Sequence, residues 1–238
     1  MSTQFKDTLT VILPTYNERG NINKLIQKIL DLRTNYAIPT QVVVVDDNSL
    51  DGTAATIRRR YSNNRKLELI VRLYEKGLAT AILTGIKAAT TNYIAVMDTD
   101  FNHDPEVLTK MWKYRNTHQL VIGSRYVSAG GMQNRFRYWL SFLFNLFLRG
   151  ILQHGVHDNL SGFFLMKTRN LKQLGTNKIF YGFGDYFIRL IYRAKRKKYS
   201  VIEIPVFYKN RTYGISKSRF LVMLYTYTLS ALRERFSI

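Results

Sequence analysis

Residues 41–53 read Gln41-Val42-Val43-Val44-Val45-Asp46-Asp47-Asn48-Ser49-Leu50-Asp51-Gly52-Thr53. Four consecutive valines with no polar alternation describe a strand covered on both faces, and the Asp-Asp-Asn-Ser run after them is a polar turn. A strand of that kind belongs to a parallel sheet whose crossover helices lie on either side. Outward from it the same figure recurs: predicted strands fall at residues 9–13, 42–45, 67–71, 93–97 and 120–122, with predicted helices near 21–32, 53–61, 78–89 and 105–115. The expected fold class is α/β, a mostly parallel, Rossmann-like sheet flanked by helices. Open sheets of this class bind ligands outside the carboxyl ends of their strands. Those ends carry Pro14-Thr15-Tyr16-Asn17-Glu18, Asp46-Asp47-Asn48-Ser49 and Asp98-Thr99-Asp100, so three polar clusters are expected to share one crevice.

Beyond Gly123 the pattern changes. Residues 136–153 are mostly large and apolar, but Ser141, Asn145, Arg149 and Gln153 recur every four positions. That is one narrow polar stripe on a wide apolar helix, either buried or interfacial. Residues 220–232 are uncharged and aromatic-rich, bracketed by Arg219 and by Arg233 and Arg235. Such a stretch is too short to span a bilayer and suits a headgroup layer. With no repeat, low-complexity tract or Pro/Gly/Ser linker, the expected organisation is one continuous domain over 1–218 and a C-terminal amphipathic, membrane-facing helix over 219–238.

The 238 residues are 46% hydrophobic and 13% aromatic, ample for a folded core. Having no cysteine, the chain has no disulfide scaffold, thiolate zinc site or Cys nucleophile, and a reducing setting is expected. The N-terminus shows no signal peptide, and no run reaches the length needed to cross a membrane. Residues 1–120 carry 16 Lys/Arg and 12 Asp/Glu, whereas residues 121–238 carry 20 and 4; of the net +20, the second half holds +16. It is expected to meet something anionic: nucleic acid, a phosphorylated substrate or an acidic membrane face. The run Lys195-Arg196-Lys197-Lys198 reads equally as a solvated helix end or a phospholipid contact.

Asp98 and Asp100 follow an apolar strand two residues apart, so both carboxylates face one side. Like charges so placed call for a cation between them, and oxygen-only ligation favours Mg2+ or Mn2+. Asn102 can add an amide oxygen or hold a metal-bound water. The alternative is an Asp/Asn-rich turn capping the helix that Pro105 begins. His154 and His157 lack a third ligand nearby, which argues against zinc.

Taken in order, Leu13-Pro14-Thr15-Tyr16-Asn17-Glu18, Val45-Asp46-Asp47-Asn48-Ser49-Leu50-Asp51-Gly52-Thr53 and Met97-Asp98-Thr99-Asp100 resemble the family 2 glycosyltransferases of the GT-A fold. Glu75-Lys76-Gly77-Leu78-Ala79-Thr80-Ala81, Gly123-Ser124-Arg125-Tyr126, Asp158 with Ser161-Gly162-Phe163, and Arg211-Thr212-Tyr213-Gly214-Ile215-Ser216-Lys217 are similar to motifs of its polyprenyl-phosphate branch, the dolichol-phosphate mannose synthase-like enzymes. The resemblance spans roughly residues 8–220. It implies that Pro14, Tyr16, Glu18, Val45 and Asp47 hold the nucleoside, Asp47 as hydrogen-bond acceptor for base or ribose. It further implies that Asp98 and Asp100 hold a metal diphosphate with Thr99 beside the nucleotide, and that Arg125, Arg211 and Lys217 surround the donor and acceptor phosphates. Bland alternatives stand beside these: Tyr16 as core, Asp51 as a helix cap, Arg125 as a structural ion pair. The sequence departs from the family at Asn102 (often Gln or Ser), Phe164 (often Arg) and Asp185 (often Glu), and it lacks the transmembrane helices common in the branch.

The implied reaction is inverting, metal-dependent transfer of a hexose, mannose foremost, from a GDP- or UDP-sugar to polyprenyl (dolichyl) phosphate, catalysed with Asp100, Arg125, Arg211 and Lys217. A phosphate-monoester oxygen is already anionic and needs no strong base. The implied setting is peripheral, on the cytoplasmic face of an anionic membrane, with a membrane-anchor subunit compatible. Two rivals are transfer to a sugar hydroxyl with Asp185 as base, and a basic nucleic-acid-binding module, against which no stacking surface interleaved with Lys/Arg is recognisable, so nucleic acid is not an expected partner. A Rossmann dehydrogenase lacks its Gly-x-Gly-x-x-Gly.

Overall fold

The structure is a computed structural model that describes residues 7–209 and 220–236. In chain order the first half runs β1 (Leu9–Thr15), α1 (Ile22–Tyr36), β2 (Thr40–Asp46), α2 (Thr53–Tyr61), β3 (Leu67–Val71), α3 (Leu78–Ala88), β4 (Tyr93–Val96), α4 (Val107–Lys113) and β5 (Leu120–Ser124). The second half adds β6 (Gly131–Met132), α5 (Arg135–Leu152), β7 (Phe164–Lys167), α6 (Thr168–Gln173), α7 (Tyr186–Arg196), β8 (Val201–Pro205), β9 (Phe207–Tyr208) and α8 (Phe220–Phe236). All five expected strands are present, and β7 and β8 complete the sheet from the half where none was expected.

Seven strands form one sheet in the order β3-β2-β1-β4-β7-β5-β8, and β6 pairs with β9 apart from it. Every sheet pairing is parallel except those of β7, which runs antiparallel to both β4 and β5. Side-chain alternation divides the apolar strands between two layers. Val11, Leu13, Val42 and Val44 pack with Leu25 and Ile29 of α1, while Ile12, Ile94 and Val96 pack with Ile82 of α3 and Leu190 of α7. This two-sided cover is why residues 42–45 show no polar alternation. Gly85 lets α3 lie close on β1, since a Cβ there would sit 2.5 Å from Ile12 Cγ2. Phe164, at the position noted as a departure, is buried in β7 against Phe180 and Phe187, so it serves the core.

Helix ends differ from expectation by a few residues. α1 continues to Tyr36 and stops where Ala37 takes a left-handed φ of 54°. α4 is shorter than expected, because the Asp104 carboxylate captures Glu106 N–H in a turn before it. α5 begins at Asn134, whose Oδ1 accepts Arg137 N–H, an N-cap of the favoured type. α8 extends to Phe236.

α5, α7 and α8 lie against one another through Leu148, Leu152, Ile188, Tyr192, Tyr227 and Ala231. Within that contact Arg189 is 1% exposed. Its Nε donates to Ile179 O (2.8 Å) and Nη1 to Ser230 Oγ (2.9 Å), and its guanidinium also bonds Asp185 Oδ2 and Tyr181 O. A buried cation with four acceptors fastens the 179–185 loop and α8 onto α7. Removing one partner of a buried ion pair costs about 3–5 kcal/mol. Arg189→Met is therefore expected to lower the unfolding free energy by about that amount in urea titration; a loss below about 1 kcal/mol would contradict this role.

Candidate active site

β2 and β4 lie parallel to β1 on either side, so all three carboxyl ends open on one edge: Thr15 pairs with Asp46, and β4 ends with Val96 opposite Ile12, three residues before the end of β1. Strands lie about 4.8 Å apart, so the chains leaving β2 and β4 stand about 10 Å apart across β1. The three polar clusters open on one edge of the sheet.

The first two are knitted together. Asn17 N–H donates to Ser49 Oγ (2.8 Å), Leu50 N–H to Asn17 Oδ1 (3.1 Å), Glu18 N–H to Thr53 Oγ1 (3.0 Å) and Arg19 N–H to Asp51 Oδ2 (3.0 Å). Asn17 and Asn48 take φ of 57° and 55°, left-handed geometry that asparagine tolerates. Asp51, one residue before the Gly52 N-cap of α2, accepts Thr53 N–H and hydroxyl on Oδ1. Partial burial pulls its pKa up, but the hydrogen bonds from Thr53 and Arg19 outweigh this and leave it lowered. Glu18 Oε2 accepts Asn21 Nδ2, and Lys76 Nζ stands 5.6 Å over the Tyr16 ring. Pro14 is buried at the end of β1. The Val45 side chain packs in the core with Val43 and Ala81, so only its backbone borders the crevice.

Asp47 is enclosed. Arg72 Nε donates to its Oδ1 (2.7 Å), Arg72 Nη2 pairs with the same oxygen, and Gly77 N–H donates to Oδ2 (2.8 Å). Arg72 also reaches Thr80 Oγ1 and Gly77 O, tying the end of β3 to the start of α3. Sequence reasoning passed over Arg72; its signal was a cation directly after an apolar strand, at another of the ligand-facing ends.

On β4 the Asp98 side is half-buried, while Thr99 and Asp100 are 5% and 4% exposed. Asn102 braces Asp100 twice, through its N–H to Oδ1 (3.0 Å) and Nδ2 to Oδ2 (2.7 Å). His103, also missed, lies directly behind. Its Nδ1 accepts Asp98 N–H (3.0 Å), its Nε2 meets Tyr208 Oη (2.6 Å), and the ring stacks on Phe163 with centroids 4.8 Å apart. Tyr208 donates onward to Ser161 O (3.0 Å). An Nδ1 that accepts is unprotonated, so the imidazole is neutral with its proton on Nε2. Burial accordingly pushes the His103 pKa down to about 4, against the opposing pull of Asp100. The Asp98 charge is also felt by the phenols of Tyr186, Tyr208 and Tyr227, whose pKa values burial has already raised.

Arg125 is turned inward. At 6% exposure its Nε and Nη2 grip Asp158 Oδ2 and Oδ1 at 2.8 and 2.7 Å, and its guanidinium lies over the Tyr208 ring. Burial alone would lower its pKa, but Asp158 more than reverses that. The structure thus gives it the structural ion pair weighed above in place of an open phosphate contact. Arg211 and Lys217 lie outside the described residues. Asp185 is bound through Oδ1 to Phe183 N–H and through Oδ2 to Arg189. His157 pairs with Glu203, and His154 Nδ1 accepts Val156 N–H, so the two imidazoles serve different partners. A cavity of about 580 Å³ between α6, α7 and α8 is lined by Arg193, Arg196, Lys197 and Arg233 and contains none of the strand-end residues.

Comparison with known proteins bears on this crevice. The model of the family described as glycosyl transferase family 2 matches residues 10–175. A dolichol-phosphate mannosyltransferase of Pyrococcus furiosus is 33% identical over 88% of the chain and 58% of its own length, so the chain spans less than two thirds of that relative. A polyprenol monophosphomannose synthase of Mycolicibacterium smegmatis is 31% identical over 87% of the chain and 79% of its own length. Among solved structures, a Mycobacterium tuberculosis glucosyl-3-phosphoglycerate synthase in complex with Mn2+, UDP and glucosyl-3-phosphoglycerate superposes with a TM-score of 0.71 over 98% of the chain and 81% of that chain, at 18% identity. The fold is that of the GT-A glycosyltransferases.

His103 sets a pH dependence. Its folded pKa of about 4 lies below the ordinary 6.5, so the unfolded chain binds the extra proton between these values. Stability should therefore be full above about pH 6.5 and decline as pH falls toward 4, by about 3 kcal/mol from this group. His103→Asn, which keeps an acceptor for Asp98 N–H, should flatten that limb in denaturant titrations; an unchanged slope would contradict the neutral imidazole.

Proposed function

The chain belongs to glycosyl transferase family 2, and from that membership we propose that it transfers mannose from a nucleotide diphosphate sugar to a polyprenyl phosphate, with inversion, at the cytoplasmic face of a membrane. The observation that carries this is the edge on which β1, β2 and β4 all end, with Asp98 and Asp100 following one strand and the hydrogen-bonded loops after the other two beside them. The names of the relatives supply the lipid-phosphate acceptor and the sugar.

Among the described residues no three His, Cys, Asp or Glu side chains converge into a self-sufficient metal cage. Asp98 and Asp100 offer hard carboxylate oxygens only, a donor set suited to Mg2+ or Mn2+ that leaves coordination positions for diphosphate and water. When bound there, such an ion would act as a Lewis acid on the diphosphate as its bond to the sugar breaks. The residues of the chain do the rest. Asn102 and His103 fix the Asp98–Asp100 turn from the front and behind, so no reorganisation is needed as negative charge develops. Asp47, neutralised by Arg72, sets the shelf on which the nucleoside rests and anchors α3 beside it. The acceptor phosphate oxygen is anionic at neutral pH and attacks without a strong base, which leaves Asp185 to its bond with Arg189. Arg211 and Lys217 are the cations proposed to draw the acceptor phosphate toward the donor. Residues 1–218 would carry the catalysis and residues 219–238 face the membrane, with an anchor subunit as a compatible partner.

Incubation with GDP- and UDP-sugars, a short polyprenyl phosphate and Mn2+ should yield lipid-linked mannose; transfer of another hexose and none of mannose would overturn the choice of sugar. Asp98→Asn and Asp100→Asn should each lower kcat about 10²–10³-fold, the scale of losing one transition-state electrostatic contact, and weaken Mn2+ binding read by electron paramagnetic resonance. Undiminished glycolipid formation in the double variant would overturn the proposal.

A further inference from the structure

α6, α7 and α8 all reach the cavity of about 580 Å³ in or just beyond their last turns, and its volume lies in the range of small-molecule sites. Four of its lining side chains are cationic, Arg193, Arg196, Lys197 and Arg233, and one is acidic, Glu234. Cations are common at helix carboxyl ends, because each end carries a partial negative charge of about one half. Here that explains part of the charge and no more. Even with a full share from the short α6, the three helix ends and Glu234 leave the cavity a net positive charge of about one to two.

The bonds these cations make within the protein show what is left over. Arg193, its side chain 29% exposed, gives Nη2 to Glu234 Oε1 at 2.8 Å, while its buried Nε has no hydrogen-bond partner among the described residues. Lys197 Nζ donates to Gln173 O (3.2 Å), the carbonyl at the end of α6. Arg196 and Arg233 are exposed, and among the described residues neither forms an ion pair or hydrogen bond. Guanidinium groups match phosphate oxygens with two parallel hydrogen bonds. A carboxylate brings one charge, whereas a phosphate monoester carries about −1.5 to −2 at neutral pH and enough terminal oxygens for two arginines. The lining also separates a free ester from a lipid headgroup. Apart from Tyr181, whose ring lies 3.7 Å from the Arg189 guanidinium, the only apolar residue of the lining among those described is Leu174, which is buried. Acyl chains need apolar surface beside the headgroup, and this cavity offers them little.

We propose that this cavity is a second binding site, for a small soluble phosphate monoester held by Arg196 and Arg233, with Arg193 and Lys197 adding to the positive field. The site contains none of the strand-end residues, yet one loop borders both places. Tyr181 lines the cavity and its carbonyl bonds Arg189. Next to it, Gly182 O lies where a Cβ on Gly77 would meet it at 3.7 Å, and Gly77 N–H bonds Asp47 of the proposed nucleoside shelf. The inference is independent of which sugar and acceptor the crevice uses.

Inorganic phosphate titrated into isotopically labelled full-length protein, at constant ionic strength and with EDTA present, should move the backbone amide resonances of Leu174, Tyr181, Arg196 and Lys197 and the Arg193 Nε–H resonance along one saturable curve. Glycerol 3-phosphate should reproduce the shifts. Arg196→Gln with Arg233→Gln should weaken the affinity by about tenfold or more, the scale of losing two charge-assisted contacts. Arg59→Gln with Lys110→Gln removes the same charge from exposed positions on α2 and α4 and should leave the affinity unchanged. All four positions are exposed, so both variants should fold. Shifts that do not saturate, that persist without Arg196 and Arg233, or that weaken equally without Arg59 and Lys110 would overturn the proposal as general screening of a cationic surface. Sedimentation with phosphatidic acid vesicles that requires Arg196 and Arg233, while glycerol 3-phosphate leaves the cavity resonances unmoved, would make the ligand a headgroup and overturn the soluble ester.

Discussion

The parallel hydrogen-bonded pairing of β1 with β2 on one side and β4 on the other is the constraint from which the rest follows. Parallel neighbours end on the same edge, so three loops distant in sequence are delivered side by side without any contact between them being required first. Hydrogen bonds between the loops then hold what the strands deliver. Asn17, Glu18 and Arg19 bond Ser49, Thr53 and Asp51, and Arg72 locks Asp47 to Gly77. On the other side of β1, His103 holds the backbone of Asp98 while Asn102 holds the carboxylate of Asp100.

A recurring device is the internal neutralisation of charge. Asp47 with Arg72, Asp158 with Arg125 and Asp185 with Arg189 are buried pairs whose further oxygens and nitrogens also find partners. Such pairs are weak sources of stability, because desolvation offsets most of the attraction, but they are costly to half-break, and so they fix geometry. They also shape the exterior. By pairing the four acids of the second half with Arg125, Arg189, Arg193 and His157, the fold leaves none of those carboxylates well exposed, while α5 turns Asn145 inward and Phe136, Trp139 and Phe147 outward. The same half that completes the sheet with β7 and β8 thus presents a basic and apolar surface.

The sheet was legible in residues 42–45 and the strands like them, because a run covered on both faces has no other easy reading. The strand-end clusters were legible for the same reason: polar groups that follow buried strands have to emerge somewhere. Two kinds of feature were not. β7 is a four-residue strand inserted antiparallel between β4 and β5, and nothing local in Phe164–Lys167 states its direction or neighbours. His103 and Arg72 gain their roles from Tyr208, 105 residues away, and Asp47, 25 residues away. For Arg125 the residue type was consistent with a phosphate contact, and only its approach to Asp158 shows the guanidinium committed inward.

By itself the sequence determined the layered α/β frame, the order of the motifs, the membership of their family and the imbalance of charge between the halves, since each of these is local pattern or plain composition. The tertiary structure decided which side chains are available. Whether an arginine meets a ligand or a buried aspartate, and whether the polar stripe of a helix faces water or protein, depends on distances between residues far apart in the chain. Periodicity gives the two faces of α5 equally well; only Asn145 against Asn159 says which one is inside.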